Sequence, residues 1–189
     1  EVSNDQLWCR RQACCIMSAL RFLSRLETST EPAANIAKAM LAAMVERLRV
    51  RRFSVCEGGA AAAFTCSDLD MLSFLSVADL GAGRGVEVND VWGWTDPDSG
   101  REYALVGRYD GTSFVDVSDP LNPRYVGDLP FTEGARGDVW RDIKVYRDHA
   151  FIVADGAGPH GMQIFDLTKL RDVRGDPVTF EEDAHYSQI

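Results

Sequence analysis

The sequence predicts a mainly β fold built from repeated four-stranded antiparallel units, with an α-helical segment in front of them. Three observations predict it. Helical periodicity is confined to residues 1–52. Short β-rich runs, separated by Asp, Gly, Pro and Asn, fill the remainder. Those runs then recur along the chain at a spacing that matches one supersecondary unit.

In the N-terminal segment, residues 5–26 and 31–50 read as two helices. Ile16, Leu20 and Leu23 stand at helical spacing in the first, and Ile36, Met40, Met44 and Leu48 form an i, i+4 stripe in the second. Thr30 can cap the second helix, and Pro32 sits in its first turn, where a missing N–H costs little. Cys9, Cys14 and Cys15 fall on the first helix with no His in a zinc-like pattern beside them, so they read as small packing residues.

After Arg52 the predicted strands are Asp90–Trp94, Glu102–Arg108, Ser113–Val117, Arg124–Leu129, Asp142–Tyr146, His149–Ala154 and Met162–Asp166, with a turn or two of helix over Leu167–Val173. Between them lie Asp96-Pro97-Asp98-Ser99-Gly100, Tyr109-Asp110-Gly111 and Asp119-Pro120-Leu121-Asn122-Pro123. Each is a turn with a mechanism: Gly supplies positive φ, Asp and Asn bond their own backbone, and Pro fixes φ. Asp90-Val91-Trp92-Gly93-Trp94 matches Asp142-Ile143-Lys144-Val145-Tyr146. Ala104–Gly107 matches Phe151–Ala154, and Phe114–Val117 matches Ile164–Leu167, at offsets of 52, 47 and 50 residues. A period of about 45–50 residues with four strands per unit is the signature of β-propeller blades. The chain holds about two such units, so residues 53–189 are expected to be an incomplete propeller. The remaining blades are expected elsewhere in the full-length protein, and the chain alone is expected to leave apolar sheet faces open.

Charge divides the chain at the same place. Residues 1–52 hold nine Lys/Arg against five Asp/Glu, and residues 53–189 hold eleven against twenty-four. The acidic part would repel a phosphate backbone, which argues against nucleic-acid binding. No apolar run approaches the ~18 residues that span a bilayer.

Several motifs resemble a known family. Thr112-Ser113-Phe114-Val115-Asp116-Val117-Ser118-Asp119-Pro120-Leu121-Asn122-Pro123 resembles the LVIVD repeat, a strand ending in Asp-Val-Ser-Asp-Pro-x-x-Pro. Asn89–Pro97, Trp140–Tyr146 and His160–Leu167 resemble the choice-of-anchor B family of LVIVD-repeat propellers, some named regulatory P domain-containing. The resemblance covers roughly Cys56 to Tyr186. It implies a secreted or surface-anchored protein without an established activity. The first 50 residues match nothing in that family.

Candidate functional residues follow. Cys56 and Cys66 bracket nine residues, a small loop that a disulfide closes in an oxidising compartment; two buried thiols are the other reading. Asp90 and Asp142 begin equivalent strands, with Arg141 beside the second. On innermost strands they would face a propeller channel, where carboxylates could hold a cation such as calcium or a polar ligand; the competing reading has each accept backbone N–H bonds. His160 lies in the glycine-rich stretch Gly156–Gly161, where a lone His is expected to be solvated; the other reading makes it a channel or metal ligand with Asp90, Arg141 and Asp142. Trp92, Trp94 and Trp140, near strand starts, are expected to fill the gap between sheets, and Asp116 and Asp166 to be structural. Asp96-Pro97-Asp98-Ser99-Gly100 has calcium-loop composition but lacks the later Gly and Glu, so a hairpin turn is expected. Asp79-Leu80-Gly81-Ala82-Gly83-Arg84-Gly85 looks like the first motif of S-adenosylmethionine-dependent methyltransferases, yet no alternating βα pattern follows it.

The expected function is therefore non-enzymatic binding of a protein or surface polymer outside the cell, with no cofactor. The alternatives are a propeller hydrolase or lyase, or a metal-binding protein, using the channel carboxylates; a methyltransferase is the remote one.

Overall fold

The computed structural model describes residues 53–187. The two helices expected over residues 5–26 and 31–50 lie outside the described residues.

The described chain is mainly β. A short hairpin, β1 (Ala60–Ala61) and β2 (Phe64–Thr65), comes first. A 3-10 turn over Val77–Leu80 follows, then β3 (Val88–Thr95), β4 (Glu102–Arg108), β5 (Gly111–Asp116), β6 (Arg124–Pro130), β7 (Arg141–Tyr146), β8 (His149–Ala154) and β9 (Met162–Asp166). A second 3-10 turn, Leu167–Asp172, leads to β10 (Val178–Thr179) and β11 (Ala184–Tyr186). One large sheet has the order β10-β6-β5-β4-β3, the other β11-β9-β8-β7. All pairings are antiparallel except β10 on β6. Among the described residues these sheets do not close into a ring.

The hairpin turns form where their sequences demand. Asp96–Arg101 joins β3 to β4 with Gly100 at φ 68°, the backbone N–H of Asp96 bonding to Arg101 O at 2.8 Å. Asp116 and Asp166 end equivalent strands, and each accepts the backbone N–H two residues on, from Ser118 at 3.1 Å and Thr168 at 2.9 Å. That is the local bonding for which Asp is chosen at turns. Asp116 also takes Arg101 at 3.3 Å.

β10 was not expected. It can run beside β6 because Gly127 carries no side chain: a Cβ there would lie 2.0 Å from Val178 O. Strand register also changes one repeat offset. Trp92 pairs with Leu105 and Lys144 with Phe151, so Leu105 and Phe151 are equivalent at 46 residues, where sequence similarity suggested 47. The cause is the β7–β8 connection, only Arg147-Asp148, against Asp96–Arg101 between β3 and β4.

One core joins the two large sheets. Trp94, Tyr103, Leu105, Phe114, Val126 and Leu129 of the first meet Ile143, Ala150, Ile152 and Phe165 of the second, with Leu167 and Leu170 at the edge. Phe114 and Phe165 stack at 4.8 Å between centroids, and Phe180 closes edge-on against both. The opposite face of the first sheet receives Leu80, whose carbonyl accepts bonds from Arg108 Nη1 at 2.7 Å and Ser113 Oγ at 2.8 Å. The methyltransferase-like glycines therefore belong to a 3-10 turn with Gly81 at its C-cap (φ 74°), and the chain goes on through a loop to β3 rather than into a helix.

The tryptophan expectation holds for one of three. Trp94 is buried, stacked on Tyr103 at 5.3 Å. Trp92 is 38% exposed and Trp140 65% exposed. Trp140 directly precedes Arg141, which takes the inward phase of β7, so position 140 falls on the outward side. Trp94→Ala should lower stability by roughly 3–5 kcal/mol in urea unfolding, whereas Trp140→Ala should change it by under about 0.5 kcal/mol. A large loss at Trp140 would show that its ring packs on something.

Cys56 and Cys66 form a disulfide with their Cα atoms 5.9 Å apart. It ties the β1–β2 hairpin to its flank, where Cys56 N–H bonds Asp70 Oδ1 at 2.8 Å. Peptide mapping under non-reducing conditions should recover the linked pair, and removing it should cost roughly 2–3 kcal/mol by loop-closure reasoning. Free alkylation of both thiols in the native protein would contradict the bond.

Candidate functional site

The two large sheets meet along β3 and β7. Asn89 Nδ2 donates to Arg141 O at 3.0 Å, and Ile143 N–H donates to Asp90 Oδ2 at 2.8 Å. Where the two strands begin, Asn89, Asp90, Trp140, Arg141, Asp142, Val153 and Asp155 line an open cleft of about 440 Å³. The sequence reading named Asp90, Arg141 and Asp142 there but missed Asn89 and Asp155, which no motif marks.

The carboxylates are engaged in different ways. Asp90 accepts a backbone N–H from Ile143 of the neighbouring sheet rather than capping a loop. Asp142 is exposed and paired with Lys144, whose hydrogen bond holds its carboxyl below the usual range. Lys144 also stands 4.0 Å from Asp90 and lies over the Trp92 ring at 4.6 Å. Exposed pairs of this kind contribute little to stability. Their consequence is a cleft lip on which one ammonium serves two carboxylates and an indole. Among the described residues no three His, Cys, Asp or Glu side chains could together hold a metal ion. In the hairpin with calcium-loop composition, Asp96 is buried and gripped by Arg171, with both carboxylate oxygens at 3.0 Å from Nε. Burial alone would raise its pKa, but bonds from Arg171, Ser99 and Asp98 outweigh it and bring it down to about 2.

Arg141 and His160 require correction. Both are fully buried, neither solvated nor open to a channel. Arg141 begins β7 and turns between the sheets, where Nε donates to Arg108 O at 2.9 Å. Gly107 makes room for it: a Cβ there would meet Arg141 Cβ at 3.4 Å. Arg141 Nη1 lies 3.0 Å from His160 Nε2. The carbonyl of His160 accepts a bond from His185 Nε2 of β11, which anchors the loop before β9. Burial, and then the charge of Arg141, push the imidazole from 6.5 down to about 4. Burial likewise lowers Arg141 to about 10, against the attraction of Asp110 and Asp138. Arg108, the other buried arginine, is fully served by Asp110 at 2.8 Å, Asp128 at 3.1 Å, Leu80 O and Ser113.

Compared with known proteins, the chain matches no family model, no curated protein and no solved structure.

The buried imidazole sets a pH dependence. Its folded pKa lies below its ordinary value, so protons favour the unfolded chain. The stability that the neutral ring contributes is complete above about pH 6.5 and is lost as pH falls toward about 4. In His160→Gln the urea midpoint should fall less over that window than in the wild type. Parallel pH profiles for the two proteins would contradict a buried neutral His160.

Proposed function

We propose that residues 88–187 are two successive blades of a β-propeller-type binding module that works outside the cell and meets a protein or surface-polymer partner at the β3–β7 cleft. The observation that carries the binding reading is the composition of the cleft lip. Trp140, at 65% exposure, stands beside the carboxylates Asp90, Asp142 and Asp155 and the amide of Asn89. Val91 and Trp92 add exposed apolar surface nearby. Aromatic faces beside polar groups that fix orientation are what recognition sites are made of.

The blade reading is supported by register. Trp92, Leu105 and Phe114 pair in line across the first sheet, and Lys144, Phe151 and Ile164 do so in the second. In the first sheet that face is covered by its neighbour. In the second, the equivalent face carries Phe151, Val153, Met162 and Ile164, suited to a further sheet of the same kind. The LVIVD resemblance of Thr112–Pro123 points the same way, and an extracellular setting is supported by the Cys56–Cys66 bond. Among the described residues no helix is long and apolar enough to cross a membrane.

The test is retention of the purified chain on a panel of immobilised extracellular proteins and cell-surface polysaccharides, read beside the melting temperature. Trp140→Ala should weaken capture about tenfold or more, the cost of removing an aromatic anchor, with no change in melting. Undiminished capture by that variant, or no capture by the wild type on any surface, would contradict the proposal.

A further inference from the structure

We infer that the partner at the β3–β7 cleft is a protein that presents an arginine side chain, its guanidinium lying on the Trp140 indole and bonding to Asp155. This rests on the reading of the cleft as a binding site and names the chemistry that the site takes. Register brings the two residues together. Arg141 pairs with Ala154 at the end of the β7–β8 ladder, and Asp155 N–H donates to Trp140 O at 3.0 Å, so Trp140 and Asp155 stand opposite each other one step further on. Directly opposed residues of antiparallel strands have Cβ atoms about 4.5–5.5 Å apart and project to the same face. Both residues are exposed, and both line the open cleft of about 440 Å³. Asp142, also exposed, takes the same outward phase two residues beyond Trp140.

On the same lip the chain meets such a pair of groups with its own cation. Lys144 Nζ lies 4.6 Å over the Trp92 ring, pairs with Asp142 and stands 4.0 Å from Asp90. Trp140 and Asp155 repeat the indole and the carboxylate, but among the described residues no basic side chain pairs with Asp155. Arg136, which lines the neighbouring groove with Asp155, spends its Nε on Gly156 O at 2.7 Å. Donor count separates an arginine from a sugar. Apart from the indole N–H, the side chains that the lip offers are carboxylates, which only accept. Asn89 Nδ2 is spent on Arg141 O, and the Arg141 guanidinium turns between the sheets. Sugar hydroxyls call for donors as well as acceptors. A guanidinium brings donors only, and its plane stacks on an indole while one edge bonds a carboxylate. Net charge favours the same occupant: residues 53–189 hold twenty-four Asp/Glu against eleven Lys/Arg, so the surface potential draws a cation in.

The experiment is an NMR titration of the isotope-labelled full chain, following the Trp140 indole N–H, which is assigned by its loss in Trp140→Phe. The probes are N-acetyl-arginine amide, its neutral isostere N-acetyl-citrulline amide, and a trisaccharide of N-acetylglucosamine. The arginine amide should move the indole signal saturably, and the citrulline amide and the trisaccharide should leave it in place. Asp155→Asn should weaken the arginine response about threefold or more, the effect of removing one exposed charge partner, at an unchanged melting temperature. An equal response to arginine and citrulline, or an arginine response that Asp155→Asn leaves intact, would overturn the inference. A signal moved by the trisaccharide and not by arginine would overturn it too, while leaving the cleft a binding site for a surface polymer. If no probe moves the signal, the inference falls; capture that still depends on Trp140 would then show that the cleft binds a partner of other chemistry.

Discussion

The stack of Phe114 on Phe165 holds the described structure together. Each ring comes from an inner strand of its own sheet, and neither sheet can bury its inner face without the other. With centroids 4.8 Å apart and Phe180 edge-on to both, the three rings remove from water surface that either sheet alone would expose. Leu105, Ile143 and Ile152 complete the layer, each fully buried. The polar inter-sheet contacts are peripheral, and they depend on this core to set the distance between sheets.

Those peripheral contacts define two ends with different chemistry. At the hairpin end, Arg171 grips Asp96 and reaches Asp98 at 2.8 Å, while Trp94 Nε1 donates to Asp148 at 3.3 Å. Here the charges are paired, and buried Asp96 has bonds on both oxygens. At the opposite end, Arg141 and His160 sit equally deep but with donors to spare. One end of the joint is a satisfied clamp, and the other holds buried donors without protein acceptors beside an acidic, aromatic cleft.

Much of this architecture was legible in the sequence because strands and turns are local. Glu102–Arg108, His149–Ala154 and Met162–Asp166 were read to the residue, since alternation and flanking Asp or Gly mark both ends of each. The cysteine pair was legible from spacing. What was not legible depended on distance in space. β10 pairs with a strand about 50 residues earlier through a glycine gap. His160 looked like a solvated loop residue, because nothing local shows that its ring will meet Arg141, 19 residues earlier. Trp140 shares a residue type with Trp94 yet faces water, since it directly precedes the inward-facing Arg141 and so falls on the outward side of the alternation. Arg171 lies 75 residues from Asp96, and no local pattern joins them.

The central claim is that the two sheets are repeats of one unit sharing a single core. Native-state hydrogen exchange of the wild type and Phe165→Ala tests it most directly. The account predicts that amides of β4 and β5 open with the same free energy as those of β8 and β9, and that Phe165→Ala, a change within the second sheet, lowers protection in both sheets equally. Protection that falls in β8 and β9 while β4 and β5 keep theirs would contradict it, for the sheets would then be independent.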